Sequence, residues 1–355
     1  MHEPVAARAC ERNSECYAGR LADLPRLGIS LGDPTGIGPE VVVRALAARP
    51  GCEVAVFGDQ GVLARAAELT GVPWPGRAVV VPTTELDLSA VAPGKPSEIA
   101  GRAQVAYLEA ATRAVLDGTT AGLVTAPISK EWAGRAGFAF PGHTEYLAAA
   151  AGVSDFAMML AGPRLRVTVV TGHIALADVP AALSVDGIAR TTLLTARALR
   201  RDFGIARPRL AVAGLNPHAG EAARFGDEEP RLVAPAIARA QAQLRAEGSD
   251  AEVSGPHVPD VVFRRAAAGE FDGVVALYHD QGLIPIKLLH FDDAVNVTLG
   301  LPFVRTSPDH GTAYDIAGTG QARADSFGAA LDLAMQMAHT RGRSVVAGGV
   351  NRTDL

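Results

Sequence analysis

Cysteine and long apolar runs are both scarce in this chain of 355 residues. Its three cysteines, Cys10, Cys16 and Cys52, are odd in number and crowded near the start, which suits neither a disulfide framework nor a four-ligand zinc module. No stretch approaches the roughly 20 apolar residues of a transmembrane helix, and residues 1–20 lack the apolar core of a secretion signal. We therefore expect a cytoplasmic protein without membrane association, with residues 1–24 forming a loose tail.

A strong charge imbalance is also absent. The 33 basic and 38 acidic residues give a net charge of −5, so there is no electrostatic reason to expect binding to nucleic acid or to an anionic membrane. An anionic small substrate would therefore need a local basic pocket. The 48% hydrophobic and 20% charged residues are typical of a folded globular protein, and the length suits two domains or one large α/β unit.

The common nucleotide-binding fingerprints are missing as well. In the segment GDPTGIGPE, Gly32, Gly36 and Gly38 do not form GxGxxG, and no P-loop lysine follows. Residues 27–31 have the pattern of a buried strand, and Pro39 suits the first turn of the apolar helix that follows. Taken alone, this segment is most simply a tight strand-to-helix turn. The continued alternation of apolar strands and helices predicts an α/β fold with parallel strands.

Three apolar runs each end just before a histidine. The runs VVTGH, AGLNPH and VVALYH place His173, His218 and His279 beyond three predicted strands. If these strands share one parallel sheet, the histidines meet at the edge where α/β folds bind ligands. They could form an open divalent metal site, or they could be ordinary loop histidines. Asp260 and Asp280 could orient the imidazoles, or they could cap helices.

Residues 277–312 combine polar side chains with apolar flanks. Arg305 is the best candidate to bind a phosphate or carboxylate through two hydrogen bonds, and Lys287 could act as a point charge or proton donor. Asn296 lies midway between them. Simple solvation is the alternative for the two basic residues, but the apolar sequences IPI and LPFV beside them disfavour it.

Two earlier segments and one later segment could also bind ligands. Lys130 follows a predicted strand in TAPISK, where it is either a ligand contact or a solvated residue at a helix start. His143 and Thr144 open a predicted helix whose free N–H groups suit a phosphate, although Thr144 could be only an N-cap. In SPDHGTAYDIAG, His310 and Asp315 belong either to a nucleotide-binding loop or to a turn-rich connection.

Several of these segments together resemble the 4-hydroxythreonine-4-phosphate dehydrogenase family, from about Leu27 to about His339. The matching motifs are GDPTGIGPE, TAPISK, PGHTEYLA, GLNPHAGE, LYHDQGLIPIK and VNVTLGLPFVRTSPDHGTAYDIAG. DHGTAYDIAG is also similar to the adenosine-binding loop of isocitrate and isopropylmalate dehydrogenases, whose fold this family shares. The resemblance implies a two-domain α/β/α sandwich with the active site in the interdomain cleft. Residues 25–135 with 315–355 would form one domain, and residues 136–314 the domain with the metal ligands and dimer interface.

The resemblance also implies a reaction and a set of site residues. The family oxidises the 3-hydroxyl of 4-phosphooxy-L-threonine with NAD or NADP and a divalent metal ion (zinc, magnesium or cobalt), and the β-keto product loses carbon dioxide, in pyridoxal 5'-phosphate biosynthesis. It is homodimeric, and one metal histidine would come from the partner subunit. The residues implied are His173, His218 and His279 for the metal; His143 and Thr144, with Lys287, Asn296 and Arg305 in a strand region, for the substrate; Lys287, Asp260 and Asp280 for catalysis; and His310, Gly311, Thr312 and Asp315 for the nucleotide.

Two departures from the family pattern bear on the substrate. Residues 172–177 read GHIALA, where the family pattern is threonine-histidine-proline-leucine followed by a basic residue, and Val261 replaces a threonine. Both changes spare the expected ligands but alter their surroundings. The alternatives are therefore a related dehydrogenase of threonate or erythronate 4-phosphate, or of an aromatic cis-dihydrodiol carboxylate. An alternative of another class is a non-catalytic nucleotide-binding module.

Overall fold

The computed structural model describes residues 26–347, so the predicted tail over residues 1–24 lies outside the described residues. Within the described part, eleven strands form one sheet in the order β3-β2-β1-β4-β11-β10-β5-β6-β9-β7-β8. The strands are β1 (Leu27–Ser30), β2 (Val54–Gly58), β3 (Ala78–Pro82), β4 (Gly122–Thr125), β5 (Ala157–Ala161), β6 (Arg166–Val169), β7 (Arg209–Ala213), β8 (Glu252–His257), β9 (Gly273–Ala276), β10 (Val295–Leu299) and β11 (Val304–Pro308).

Helices connect most of these strands. They are α1 (Gly38–Ala47), α2 (Gln60–Thr70), α3 (Glu98–Leu116), α4 (Lys130–Arg135), α5 (His143–Ala150), α6 (Val179–Ala182), α7 (Val185–Arg201), α8 (Ala234–Ala246), α9 (Pro259–Ala267), α10 (His279–Leu289) and α11 (Asp325–Ala347). A π-helical turn, Glu229–Val233, precedes α8. Among residues 26–347, no helix combines the length and the apolar character that crossing a membrane requires.

The sheet consists of two parallel blocks joined by antiparallel strands. One block is β3-β2-β1-β4-β11, the other is β6-β9-β7-β8, and β10 and β5 pair antiparallel between them. Every residue of β1, β4 and β9 is buried, as expected when helices cover both faces of a parallel sheet. The predicted α/β fold is confirmed. The predicted domain boundaries stay a prediction, because the sheet continues through both proposed domains.

The GDPTGIGPE segment forms the predicted turn between β1 and α1, with Pro39 in the first helical turn. Gly32 has a φ of +73°, and a Cβ atom there would lie 2.3 Å from the carbonyl oxygen of Pro127. The N–H of Asp33 donates to that same oxygen at 2.9 Å, and the N–H of Ile37 donates to the carbonyl of Thr312 at 2.9 Å. The turn therefore holds both the TAPISK segment and the predicted nucleotide loop.

Candidate active site

Two of the three predicted metal histidines lie side by side. His173 follows β6 and His279 follows β9, and these two strands pair in parallel as the sequence predicted. Their ring centroids are 5.2 Å apart. The carboxylate of Asp280 lies 2.6 Å from Nδ1 of His279, which leaves Nε2 available to a metal. This contact is the one expected if Asp280 orients His279, and that role stays a prediction. Asp260 is exposed in the first turn of α9, where an acidic residue suits the helix dipole.

The third histidine stands apart from this pair. His218 follows β7, the sheet neighbour of β9, but it is exposed and its ring centroid lies 6.2 Å from that of Phe225. Across residues 26–347 of a single chain, no group of three or more histidine, cysteine or acidic side chains is placed to hold a metal ion. One chain therefore brings together two of the three predicted ligands, and the three-histidine site stays a prediction.

The backbone around His218 has an unusual conformation that the sequence did not indicate. Residues 218–223 all have positive φ angles, from +41° to +82°, and only Gly220 among them is glycine. A left-handed conformation costs about 1–2 kcal/mol for each residue with a side chain. Conformations of this kind persist only where the surrounding structure holds them, and they are frequent at functional sites.

Arg305 forms the centre of a second group of predicted residues. It is 3% exposed, and it donates hydrogen bonds to the hydroxyls of Thr298 at 3.0 Å and Thr125 at 2.8 Å. Its Nε atom is buried without a partner. Burial lowers the pKa of Arg305 to about 10, an effect that the nearby carboxylate of Glu145 opposes. A buried guanidinium with an unused donor fits an anionic ligand.

His143 belongs to the same group. It is the first residue of α5, and its Nε2 atom is buried without a hydrogen-bond partner. Burial, and then the positive charges of Arg305 and Lys130, hold the pKa of His143 well below its usual range. No side chain caps the start of α5, where Thr144 follows, so backbone N–H groups there can also receive an anion. Lys130, for which the sequence left a ligand contact and a solvated residue as alternatives, belongs to the same group because its charge acts on His143. Glu145, which the sequence did not indicate, belongs to it because its carboxylate acts on Arg305.

A third group surrounds Lys287. The family resemblance implied that Lys287 lies in a strand region. That prediction is wrong, because Lys287 lies in the last turn of α10. The periodic apolar run continues there as a helix despite Pro285. Its ammonium group contacts the carboxylate of Asp309 at 2.9 Å, and a cavity of about 260 Å³ adjoins both residues and His310. Asn296 lies on β10, opposite Ser307 of β11. Oδ1 of Asn296 and Nε2 of His310 are both buried without partners, so each can receive a ligand.

The predicted nucleotide loop is anchored to the GDPTGIGPE turn. The hydroxyl of Tyr314 donates to Asp33 at 2.6 Å, and the N–H of Gly318 donates to the carboxylate of Glu40 at 2.6 Å. Burial, followed by the hydrogen bond to Asp33, raises the pKa of Tyr314 to about 12. Gly311 and Asp315 are exposed and Thr312 is half-buried. An anchored loop with exposed backbone fits a nucleotide, although the sequence had not singled out Tyr314 or Asp33.

Comparison with known proteins agrees with these features. Residues 50–334 match the family model described as pyridoxal phosphate biosynthetic protein PdxA. A 4-hydroxythreonine-4-phosphate dehydrogenase from Desulfosudis oleivorans is 49% identical over 340 residues, covering 91% of this chain and 99% of that protein. The crystal structure of the enzyme of that name from Klebsiella pneumoniae is 42% identical, with a TM-score of 0.80 over 89% of this chain and 99% of that one.

A solved structure with a different name is also similar. Terephthalate 1,2-cis-dihydrodiol dehydrogenase from Burkholderia xenovorans is 30% identical, with a TM-score of 0.64 over 88% of this chain and 98% of that one. Its identity and TM-score are both lower than those of the Klebsiella structure. With a family model that matches most of its length and relatives nearly half identical over nine-tenths of it, this chain belongs to the PdxA family of pyridoxal phosphate biosynthetic proteins.

Proposed function

We propose that this protein is a metal-dependent, NAD(P)-linked dehydrogenase of 4-phosphooxy-L-threonine in pyridoxal 5'-phosphate biosynthesis. The reaction oxidises the 3-hydroxyl to give 2-amino-3-oxo-4-phosphooxybutanoate, which loses carbon dioxide to yield 3-amino-2-oxopropyl phosphate. The proposal rests on the family and on one structural observation, the buried Arg305 beside the neutral His143. Both side chains have unused hydrogen-bonding atoms, and a phosphate group would supply the acceptors and the negative charge that they lack.

The chain's own residues have distinct roles in this proposal. Arg305, His143 and the N-terminus of α5 bind and orient the phosphate. Lys287, held by Asp309, moves a proton at the 3-hydroxyl oxygen or donates a hydrogen bond to the carbonyl that replaces it. The loop from His310 to Asp315 binds the nucleotide.

A divalent cation would be held by His173 and His279 of one subunit and by His218, with Asp280 fixing the orientation of His279. The two adjacent imidazoles, one of them oriented by a carboxylate, fit zinc or cobalt, and they leave room for magnesium with retained water ligands. When bound, such a cation supplies Lewis-acid stabilisation of negative charge on the substrate oxygen. The separation of His218 from the other two is consistent with a site completed by a second subunit.

A homodimer is part of this proposal. Large hydrophobic side chains are exposed on the same segments that carry the predicted metal ligands. Ile174 and Leu176 follow His173, Phe225 lies against His218, and Ile284 and Leu288 share one face of the helix that begins at His279. Their exposed fractions range from 44% for Phe225 to 83% for Leu288. We take these exposed apolar side chains to belong to a surface that a partner covers.

The decisive experiment measures NADH and NADPH formation by the purified protein on three substrates: 4-phosphooxy-L-threonine, threonate 4-phosphate and a carboxylated aromatic cis-dihydrodiol. Each assay is run before and after metal removal by a chelator, and again after adding back zinc, cobalt or magnesium. We expect turnover of the first substrate, its loss with the chelator and its recovery with metal. Turnover of only the second or third substrate would contradict the substrate assignment, and full activity without metal would contradict the mechanism.

Replacing Arg305 tests the phosphate assignment separately. Arg305→Lys keeps the charge but removes the planar pair of donors, so we expect at least about a tenfold higher KM for the phosphorylated substrate. Arg207→Lys is the matched control, because Arg207 is exposed and its Nε atom lies 3.8 Å from Oδ2 of Asp250, which is also exposed. An unchanged KM in the Arg305 variant would show that Arg305 does not bind the phosphate group.

A further inference from the structure

The loop that carries His218 is bound to a buried carboxylate at its base. Glu229 is 2% exposed, and its Oε1 atom accepts hydrogen bonds from the backbone N–H groups of Leu215 at 2.8 Å and Asn216 at 2.7 Å. Its Oε2 atom accepts a third, from the side-chain amide of Asn216 at 3.0 Å. Three hydrogen bonds therefore fix the two residues that immediately precede Pro217 and His218.

The local backbone brings Glu229 close to the left-handed turn. Glu229 is the first residue of the π-helical turn that precedes α8, and turns of this kind are frequent at functional sites. A Cβ atom on Gly220 would lie 2.7 Å from Oε2 of Glu229, so the turn packs directly onto the carboxylate. Residues 218–223 occupy a conformation that is unfavourable for L-amino acids, and this packing and the three hydrogen bonds contribute to holding it, beside backbone hydrogen bonds such as that from the N–H of Phe225 to the carbonyl of Gly220.

A second buried side chain, Gln281, connects the same loop to the segment that carries His279. Gln281 lies two residues after His279, and its Oε1 atom accepts from the N–H of Leu277 at 2.7 Å. Its Nε2 atom donates to the carbonyl of Gly214 at 2.7 Å. The base of the His218 loop is thus connected to the strand end from which His279 projects.

We propose that Glu229 is a positioning residue for His218: through the N–H groups of Leu215 and Asn216 it holds the left-handed turn in the conformation that presents the imidazole to a divalent cation. This inference rests on the proposed function, in which His218 is a metal ligand. Glu229 does not itself ligate the metal. The competing explanation is that the buried carboxylate only stabilises the fold, and it predicts a loss of stability without a change in metal affinity.

The test compares Glu229→Met, which keeps nearly the length of the side chain but removes both acceptor oxygens, with the control Asp250→Asn, an exposed acidic residue between α8 and β8. Hydrogen exchange of the Leu215 and Asn216 amides is measured on the metal-free protein, and Co²⁺ affinity is measured by titration of the absorption spectrum of the bound ion. We expect faster exchange in the Glu229 variant and a Co²⁺ affinity lower by about 10–100-fold, the usual effect of losing a group that orients a ligand. The Asp250 variant should match the wild type in both measurements.

Several outcomes would overturn the inference. Faster exchange with unchanged Co²⁺ affinity would make Glu229 a purely structural residue, and unchanged exchange would show that it does not hold the loop. If His218→Ala binds Co²⁺ as tightly as the wild type, the ligand assignment in the proposed function fails, whatever the exchange data show. Should Glu229→Met not fold, as judged by circular dichroism, Asn216→Ala removes one of the three hydrogen bonds and should also lower Co²⁺ affinity. An unchanged affinity in that variant would count against the proposal.

Discussion

The hydroxyl of Tyr314 donates a 2.6 Å hydrogen bond to Asp33, which lies 281 residues earlier in the chain. Asp33 is 1% exposed, and its other carboxylate oxygen accepts from both the N–H and the hydroxyl of Thr35, at 2.8 and 2.6 Å. The GDPTGIGPE turn has no nucleotide-binding fingerprint of its own, but through Asp33 it holds Tyr314 of the predicted nucleotide loop in place.

Replacing Tyr314 by Phe should weaken this support. The substitution leaves one oxygen of a buried carboxylate without its donor, which costs about 1–3 kcal/mol of unfolding free energy. The same change should weaken NAD binding, because the loop loses an anchor. Urea unfolding and NAD titration of Tyr314→Phe, Asp33→Asn and the double variant form a cycle that isolates the pair. Strictly additive effects would show that the two residues are not coupled.

The same pair predicts a pH dependence. The pKa of Tyr314 is about 12 in the folded protein, against about 10 in an unfolded chain. Since folding favours the protonated phenol, its contribution is complete below about pH 10 and disappears as the pH rises towards 12. The stability difference between the wild type and Tyr314→Phe should therefore shrink between about pH 10 and about pH 12 in urea unfolding. A difference that stays constant over this range would contradict the raised pKa.

The contrast between Tyr314 and His279 shows which features the sequence could predict. A histidine after an apolar run is a local pattern, and β6, β9 and β7 are neighbours in the sheet as expected, although His218 stands apart from the other two histidines. The hydrogen bond between Tyr314 and Asp33 joins residues that are distant in the sequence, so no local sequence pattern predicts it. The left-handed turn at residues 218–223 was hidden for another reason: five of its six residues have side chains, which ordinarily disfavour that conformation.

Arg305 and Arg341 should respond in opposite directions to the same substitution. Arg305 is buried against threonine hydroxyls, so Arg305→Met removes a desolvated charge and should raise the unfolding free energy of the ligand-free protein while abolishing phosphate binding. Arg341 donates to Asp202, which is 1% exposed, so Arg341→Met should lower stability by about 1–3 kcal/mol. Urea unfolding compares the two variants. A lower unfolding free energy in Arg305→Met would mean that Arg305 stabilises the fold rather than being kept for ligand binding.

The exposed face of α10 should control subunit association. Leu288 is 83% exposed, and Leu288→Glu places a charge in the surface that we propose a second subunit covers. We expect sedimentation analysis to show monomers where the wild type is dimeric, with a matching loss of Co²⁺ affinity if His218 acts across the interface. Leu116→Glu, at a residue 44% exposed at the end of α3, is the control and should remain dimeric. Dimers of undiminished stability in the Leu288 variant would exclude this face from the interface.

The left-handed turn predicts opposite effects of one substitution at two exposed alanines. Ala222 has a φ of +56°, where glycine avoids a cost of about 1–2 kcal/mol but adds about 0.4–1 kcal/mol of chain entropy to the unfolded state. Ala222→Gly should therefore raise the unfolding free energy by about 0.5–1 kcal/mol, from the difference between these two terms. Ala238 lies in the middle of α8, where glycine in place of alanine costs about 1 kcal/mol. Thermal and urea unfolding should thus show Tm rising in the first variant and falling in the second; a fall in both would mean that residues 218–223 do not hold a left-handed turn in solution.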